Sequence, residues 1–447
     1  MKTINRRHFL KASAIAGAGL ALAPKLSFAQ GTQSNNKPVL LGGRKPSYNF
    51  SRWPIYDQTE EKALLEVLHS NKWGRLNGSI TTKFEAEYAK IHGTAHSLAV
   101  SSGTSALYTM FGALNVGPGD EVILPVYTFV ASYNVVVLNY ALPILIDTDI
   151  ETFQIDTKKM EQAITPQTKL LMPVHIGGSP ADIDTILAIG RKHNLPVIED
   201  ACQAHLAEWK GKKVGSFGLG GAFSFQSSKN LNCAEGGAIT SNSKEFIDRC
   251  YSFHNQGQGG TGTSYEMGSG VRGTNLRITE FQAGLLLAQM SRLEQQARKR
   301  SENAAYLTRL FNEIPGITPA KLYRGTTNSA YHLYMFRYDQ SKFAGLSRDR
   351  FIEALSAEGI PCSRGYGQMN SSDYVRGLAS NKHYLKIYGE KTMKEWLERN
   401  QCPQNDKLTK EQSLWFTQTM LLGERSDMDK IAEAVRRIQK FAKELKK

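Results

Sequence analysis

Two apolar runs decide the fold, and each leads to a charged residue. The first is Val197-Ile198-Glu199-Asp200-Ala201-Cys202-Gln203-Ala204-His205. The second is Gly221-Ala222-Phe223-Ser224-Phe225-Gln226-Ser227-Ser228-Lys229-Asn230. A third run, Glu235-Gly236-Gly237-Ala238-Ile239-Thr240, returns from a Gly-Gly turn. The first reads as a strand that delivers a carboxylate to its C-terminal end, where open α/β sheets bind ligands. The second brings an amine to the same crevice. Asp200 and Lys229 together suit pyridoxal phosphate: the lysine forms a Schiff base and the acid keeps the pyridinium nitrogen protonated, so that the cofactor acts as an electron sink. An imine-forming lysine must be partly desolvated or lie near a cation, so that its neutral form is accessible. The expected activity is that of an aminotransferase.

Around these runs, strands and helices alternate. Strands are expected at 97–101, 121–125, 143–147, 169–174, 195–200, 221–225 and 237–241, with helices at 60–69, 80–92, 104–114, 129–139 and 182–194. Such alternation predicts an α/β fold with a mainly parallel sheet covered on both faces. A long helical pattern over 278–310 leads to strand-like residues 331–338, a helix at 348–358 and a terminal helix at 427–445. The expected division is a large domain at 44–285 and a smaller α+β domain at 286–447.

Ser101-Ser102-Gly103-Thr104-Ser105-Ala106 lies between a strand and a helix. Glycine there permits close approach of a ligand, and the free N–H groups of a helix start attract phosphate. Gly103 and Thr104 are therefore candidate phosphate ligands, and Ser224 adds a hydroxyl. Phe129 follows another strand end, where its ring can stack on a pyridine face; the competing reading is an ordinary core residue. Gln203 is placed to bond the cofactor's phenolic oxygen or to cap a turn. Gly218-Leu219-Gly220-Gly221 precedes a strand where a dinucleotide loop follows one, so it is not read as such a loop. His175 and His205 lack neighbouring acids or histidines at metal-ligand spacing, which favours a structural or substrate-side role, and no metal is expected. The five cysteines form no CxxC pair. Cys202 and Cys233 are expected to be small buried hydrophobes.

The first 29 residues read as a targeting segment. Asn5-Arg6-Arg7-His8-Phe9-Leu10-Lys11 is a twin-arginine motif, followed by an Ala- and Gly-rich apolar stretch and by Ser27-Phe28-Ala29, a small-x-small cleavage site. The apolar stretch is too short to span a bilayer comfortably. Cleavage after Ala29 and export through the twin-arginine translocase to a bacterial periplasm or exterior are expected, with a flexible lead-in at 30–43. Removing five cations and no acids lowers the formal charge from +14 to +9. No dense basic run or basic-aromatic stripe points to nucleic acid.

The chain resembles the DegT/DnrJ/EryC1/StrS family of sugar aminotransferases, which have the aspartate-aminotransferase fold (PLP-dependent transferase fold type I, with a seven-stranded sheet). The resemblance rests on Phe84-Glu85, Ser102 to Leu107, Gly117-Pro118-Gly119-Asp120-Glu121-Val122, Tyr127 to Ser132, Val174-His175 through Gly178, Glu199 to His205, Phe223 to Asn230, Glu235-Gly236-Gly237 and Asn275-Leu276-Arg277. These pieces occur in family order over roughly residues 50–300. The resemblance implies Lys229 and Asp200 as catalytic residues, with Gly103, Thr104, Phe129, Gln203 and Ser224 holding the cofactor. Asn275 would reach the phosphate in a partner subunit's site, which implies a homodimer. A ping-pong reaction would pass an amino group from glutamate or glutamine to a keto-sugar or keto-cyclitol. Alternatives are sugar dehydration or lyase chemistry on the same fold, or an exported binding protein without turnover. Lys229 favours transamination, because dehydrating members carry histidine there. Two features depart from the family: the turn Ser252-Phe253-His254-Asn255-Gln256-Gly257 with the Gly-rich loop 257–270 after it, and the export motif.

Overall fold

Fully buried strands carry side chains on both faces into apolar surroundings, so they read as unbroken hydrophobic runs. The computed structural model describes residues 36–259 and 271–446. The expected signal peptide and most of the Gly-rich loop lie outside the described residues. The strands β1 (His96–Val100), β2 (Glu121–Pro125), β3 (Leu142–Ile146), β4 (Thr168–Leu171), β5 (Ile198–Asp200), β6 (Gly220–Ser224) and β7 (Gly237–Ser241) follow the expected runs. Two hydrogen-bonded sets, β3-β2-β4 and β5-β6-β7-β1, meet through parallel bridges Leu171–Val197 and Val174–Asp200. The result is one seven-stranded sheet in which only β7 runs against the others.

Helices α1 (Gln58–Ser70), α2 (Gly103–Ala113), α3 (Val130–Leu138) and α4 (Glu280–Asn312) join the strands or pack beside them. The parallel arrangement gathers the ends of β1, β2, β5 and β6 on one edge, and every candidate site residue except Asn275 lies at or soon after one of those ends. Two glycines allow the sheet to close there. A Cβ on Gly103 would lie 2.6 Å from Ser224 Cβ, and one on Gly237 would lie 2.3 Å from the Ser102 carbonyl oxygen. The turn after β1 is thus pressed against both β6 and β7.

At 33 residues, α4 is about 50 Å long. It starts with a capping box between Thr279 and Gln282 and carries the chain to a second sheet. That sheet is antiparallel, in the order β8 (Ile317–Pro319), β9 (Leu333–Tyr338), β10 (Ser413–Thr417). Its aromatic core joins Phe311, Phe336 and Phe416 to α5 (Arg348–Glu358) and α7 (Arg425–Lys440). Between these two lies α6 (Lys382–Arg399).

Three features cross the expected division at residue 285. α4 runs through it without a break. The segment containing α6 leaves the second sheet and buries Tyr384, Met393, Trp396 and Cys402 in the core of the first. Trp396 Nε1 donates to the Pro143 carbonyl at 2.7 Å, fixing α6 beside β3. The lead-in, expected to be flexible, forms a 3₁₀ turn at Val39–Leu41, and Leu40 and Leu41 pack on the second core. Val39 N–H donates to Glu358 Oε1 at 2.9 Å, so this segment buries apolar side chains and satisfies its backbone despite polar flanks.

Candidate active site

A cavity of about 750 Å³ opens where the ends of β1, β2, β5 and β6 meet β9 and β10. Seven of the eight expected site residues line it: Gly103, Thr104, Phe129, Asp200, Gln203, Ser224 and Lys229. Asn275 does not. It is exposed on the strand-like stretch before α4, bridged to Asn255, and its Oδ1 accepts from Arg277 N.

Asp200 ends β5 and is buried. Ser132 Oγ donates to its Oδ2 at 2.7 Å and Cys202 N–H to its Oδ1 at 3.2 Å. Thr128 and Ser132 hydroxyls lie 3.0 Å apart, extending the chain of hydroxyls to the end of β2. A carboxylate held by two donors has a fixed direction as well as a charge. Burial pulls the Lys229 ammonium below the usual lysine range, against the opposing effects of Cys202 and Asp200. Its backbone is fixed by Lys229 N–H to Gln226 O at 2.8 Å, in a loop tied by Ser227 N–H to Ala234 O at 2.9 Å. Trp53 Nε1 donates to Ser227 O on the other side at 2.9 Å.

Gln203 Oε1 accepts from Gly177 N–H at 2.8 Å, and its Nε2 donates to the Tyr366 hydroxyl at 2.8 Å. One N–H of its amide is thus left for a ligand. Phe129 is 55% exposed despite its size. Its position at the cavity wall leaves a ring face for a flat partner. Ser102 Oγ accepts from Ser105 N–H at 3.0 Å and caps α2, whose first N–H groups have no partner within the helix.

The histidines named from sequence are structural. Ala181 N–H donates to His175 Nδ1 at 3.0 Å, so the proton sits on Nε2, which donates to Glu199 Oε2 at 3.0 Å. Against the burial that would raise it, the His175 hydrogen bond and the Gly215 and Gly218 N–H groups hold the Glu199 carboxyl below its ordinary range. His205 donates to the Ser224 carbonyl at 2.8 Å and stacks on Phe225; burial pulls its pKa down to about 3. Among the described residues no cluster of three or more histidine, cysteine or acidic side chains forms a metal site. Burial, with Asp200 beside it, holds the Cys202 thiol protonated.

Trp53, His332, Tyr366, Trp415 and Gln418 also line the cavity and were not foreseen. Trp53 comes from the opening segment, Tyr366 from the stretch between α5 and α6, and His332, Trp415 and Gln418 from β10 or the ends of β9 and β10; no local motif marks them.

A model of the DegT/DnrJ/EryC1/StrS aminotransferase family matches residues 54–413. The chain belongs to this family. It is 30% identical over 391 residues to 3-amino-5-hydroxybenzoate synthase of Amycolatopsis mediterranei, covering 86% of this chain and 96% of that one. It is 35% identical over 410 residues to L-glutamine:2-deoxy-scyllo-inosose aminotransferase of Streptoalloteichus tenebrarius, covering 88% and 96%. The crystal structure of 3-amino-5-hydroxybenzoic acid synthase superposes with a TM-score of 0.77 at 30% identity, over 88% of this chain and 99% of that chain. A twin-arginine signal model matches residues 3–23. The DegT-family fold and the aminotransferase class expected from Asp200 and Lys229 therefore hold.

Proposed function

We propose that this DegT-family aminotransferase uses pyridoxal phosphate to move an amino group from L-glutamine or L-glutamate to the keto group of a cyclitol or sugar. The observation that carries this reading is the meeting of Asp200 and Lys229 in one cavity beside a helix start that has no room for a Cβ at Gly103. That cradle fits a phosphate. The α2 N–H groups, Thr104 and Ser224 would hold it, Phe129 would cover one ring face, and Gln203 would meet the phenolic oxygen. Bound there, the cofactor supplies the electron sink that makes a proton on the amino-bearing carbon removable.

The chain's own residues do the rest. Asp200, fixed by Ser132 and Cys202, holds a proton at the pyridine nitrogen. Lys229 Nζ would take the proton from the amino-bearing carbon and deliver it to the carbon on the other side of the transferred nitrogen, a transfer favoured by an amine whose neutral form is accessible. His332 lies at the same wall, kept neutral by burial and then by Lys229. Trp53, Tyr366 and Trp415 present aromatic surface, while Thr417 and Thr419 add hydroxyls. Aromatic faces with hydroxyls between them suit a polyhydroxylated ring, which has apolar C–H faces and a polar rim. The two enzymatic relatives, one named for a cyclitol substrate, support this acceptor class.

The test is a pair of half-reactions on the loaded protein. L-Glutamine alone is expected to shift the visible absorption band to the near-ultraviolet with release of the 2-oxo acid. A keto-cyclitol or keto-sugar added next is expected to restore the band and yield an amine. A band that no amino acid alters sinks the reading.

A homodimer belongs to the same proposal. Leu64, Leu65 and Leu68 of α1, with Trp73 and Leu76 beyond it, are 36–51% exposed. Trp73 lies 5.7 Å from Phe281, close in sequence to exposed Asn275. A second copy covering this apolar face would give Asn275 access to the partner's site. Light scattering is expected to report the mass of two chains, and replacing Leu65 and Leu68 with glutamate to reduce it to one. The twin-arginine match supports export of the folded enzyme to the periplasm.

A further inference from the structure

Arg300, in the middle of α4, is completely buried. Its Nε donates to Gln418 Oε1 at 2.8 Å, and neither Nη atom has a partner among the described residues. The face of Trp53 lies 5.4 Å from its Cζ. No carboxylate among the described residues pairs with it. A buried guanidinium without a counter-ion is costly, and proteins seldom keep one unless something completes it. Burial brings its pKa down to about 9, which leaves it charged at neutral pH.

Gln418, which accepts its hydrogen bond, and Trp53, whose ring faces it, both line the active-site cavity. Because Arg300 holds the amide oxygen of Gln418, the orientation of that amide is set and Nε2 is the free end. Nε2 is itself buried without a partner among the described residues. Two orphaned donor groups thus lie together, Gln418 in the cavity wall and the cationic Arg300 behind it. Meanwhile, among the described residues that line the cavity, Lys229 is the only lysine or arginine, and it is engaged with the cofactor in the reading above. An amino donor always carries an α-carboxylate, and that charge needs a complement.

We propose that Gln418 Nε2 and the Arg300 charge behind it form the subsite for the α-carboxylate of the amino donor. The proposal rests on the aminotransferase reading and adds the specificity element for its first substrate. Gln418 makes the contact. Arg300 is a positioning residue: it fixes the Gln418 amide through Nε and supplies the positive field that favours an anion there. Trp53 shields that field from water, which keeps it strong.

The probes are L-glutamine and L-glutaminamide, whose carboxylate is replaced by a neutral amide. Binding to the cofactor-loaded dimer is measured by calorimetry, and the absorbance half-reaction is followed in parallel. The wild type is expected to prefer L-glutamine by at least about tenfold. Arg300→Gln and Gln418→Glu are each expected to weaken L-glutamine about 10- to 100-fold, the range of a lost hydrogen bond to a charged group. L-Glutaminamide binding should stay within about twofold, so the preference collapses. Arg300→Lys should restore part of it, and a rise in KM for the donor should exceed any fall in kcat. Should Arg300→Gln fail to fold, Gln418→Glu, at the cavity wall, carries the test. A preference that persists in the folded variants, or is missing from the wild type, overturns the subsite. Failure of the aminotransferase reading looks different: L-glutamine binds with its carboxylate preference intact, yet no 2-oxo acid is released.

Discussion

Lys229→Ala is expected to lower turnover by at least about 10⁴-fold, because in the proposed reading one side chain both holds the cofactor and shuttles the proton. The neighbourhood leaves no substitute. Among the described residues that line the cavity, no second lysine or arginine is present. His332 stays neutral, with burial the main cause, and its Nδ1 lies 3.3 Å from Asn230 Oδ1. The loop around position 229 is held by backbone bonds, including Ser227 N–H to Ala234 O at 2.9 Å, so truncation of the side chain should not unfold it. Borohydride reduction followed by peptide mass mapping gives a check independent of rate. The wild type should carry the reduced cofactor on the peptide containing Lys229, and the variant should carry none. Label on a different lysine would remove Lys229 from the role.

Asp200→Asn isolates charge from shape. The amide fills the same space, and the Ser132 hydroxyl can turn to accept from it, so the end of β5 keeps its geometry. What disappears is the negative charge that holds a proton at the pyridine nitrogen. Loss of a hydrogen bond between charged groups predicts cofactor affinity weaker by about 10- to 150-fold. Turnover should fall by about 10²- to 10⁴-fold even at saturating cofactor, because general acid–base transfer at the adjacent carbon loses its electron sink. Stopped-flow measurement of the donor half-reaction separates the two effects. A normal rate constant at full occupancy would exclude Asp200 from the pyridine nitrogen.

Much of this site was legible because parallel strands concentrate chemistry at their ends. Asp200 follows Val197-Ile198, Ser224 ends β6, and Gly103 opens α2, so each is found by asking where a strand stops. The remaining wall was not legible in the same way. Gln418, Tyr366 and Trp53 reach the cavity from segments more than a hundred residues away from Lys229, and only tertiary packing brings them there. The helix α6 shows the same limit. Its sequence is rich in charge and broken at Gly389, which has φ 79°. Only Tyr384, Met393 and Trp396 of it are buried. Such a pattern reads as solvated surface until its apolar side chains find the first core. Arg300 was hidden among the charges of a long helix. Nothing in Arg298-Lys299-Arg300 says which of the three turns inward.

The opening segment has a consequence for how the molecule comes into being. Asn49 N–H reaches Asp427 Oδ2 at 3.3 Å, and Lys430 Nζ reaches the Ser47 carbonyl at 2.8 Å. The first described residues are therefore laced to a helix made among the last. Contacts of such sequence separation form late, after the intervening loop has closed. Trp53, a few residues beyond, belongs to the cavity wall. A chain in which residues 425–440 are not yet made lacks the anchor for that wall. Completion of the catalytic pocket therefore waits on residues 425–440, however much of the central sheet has already formed.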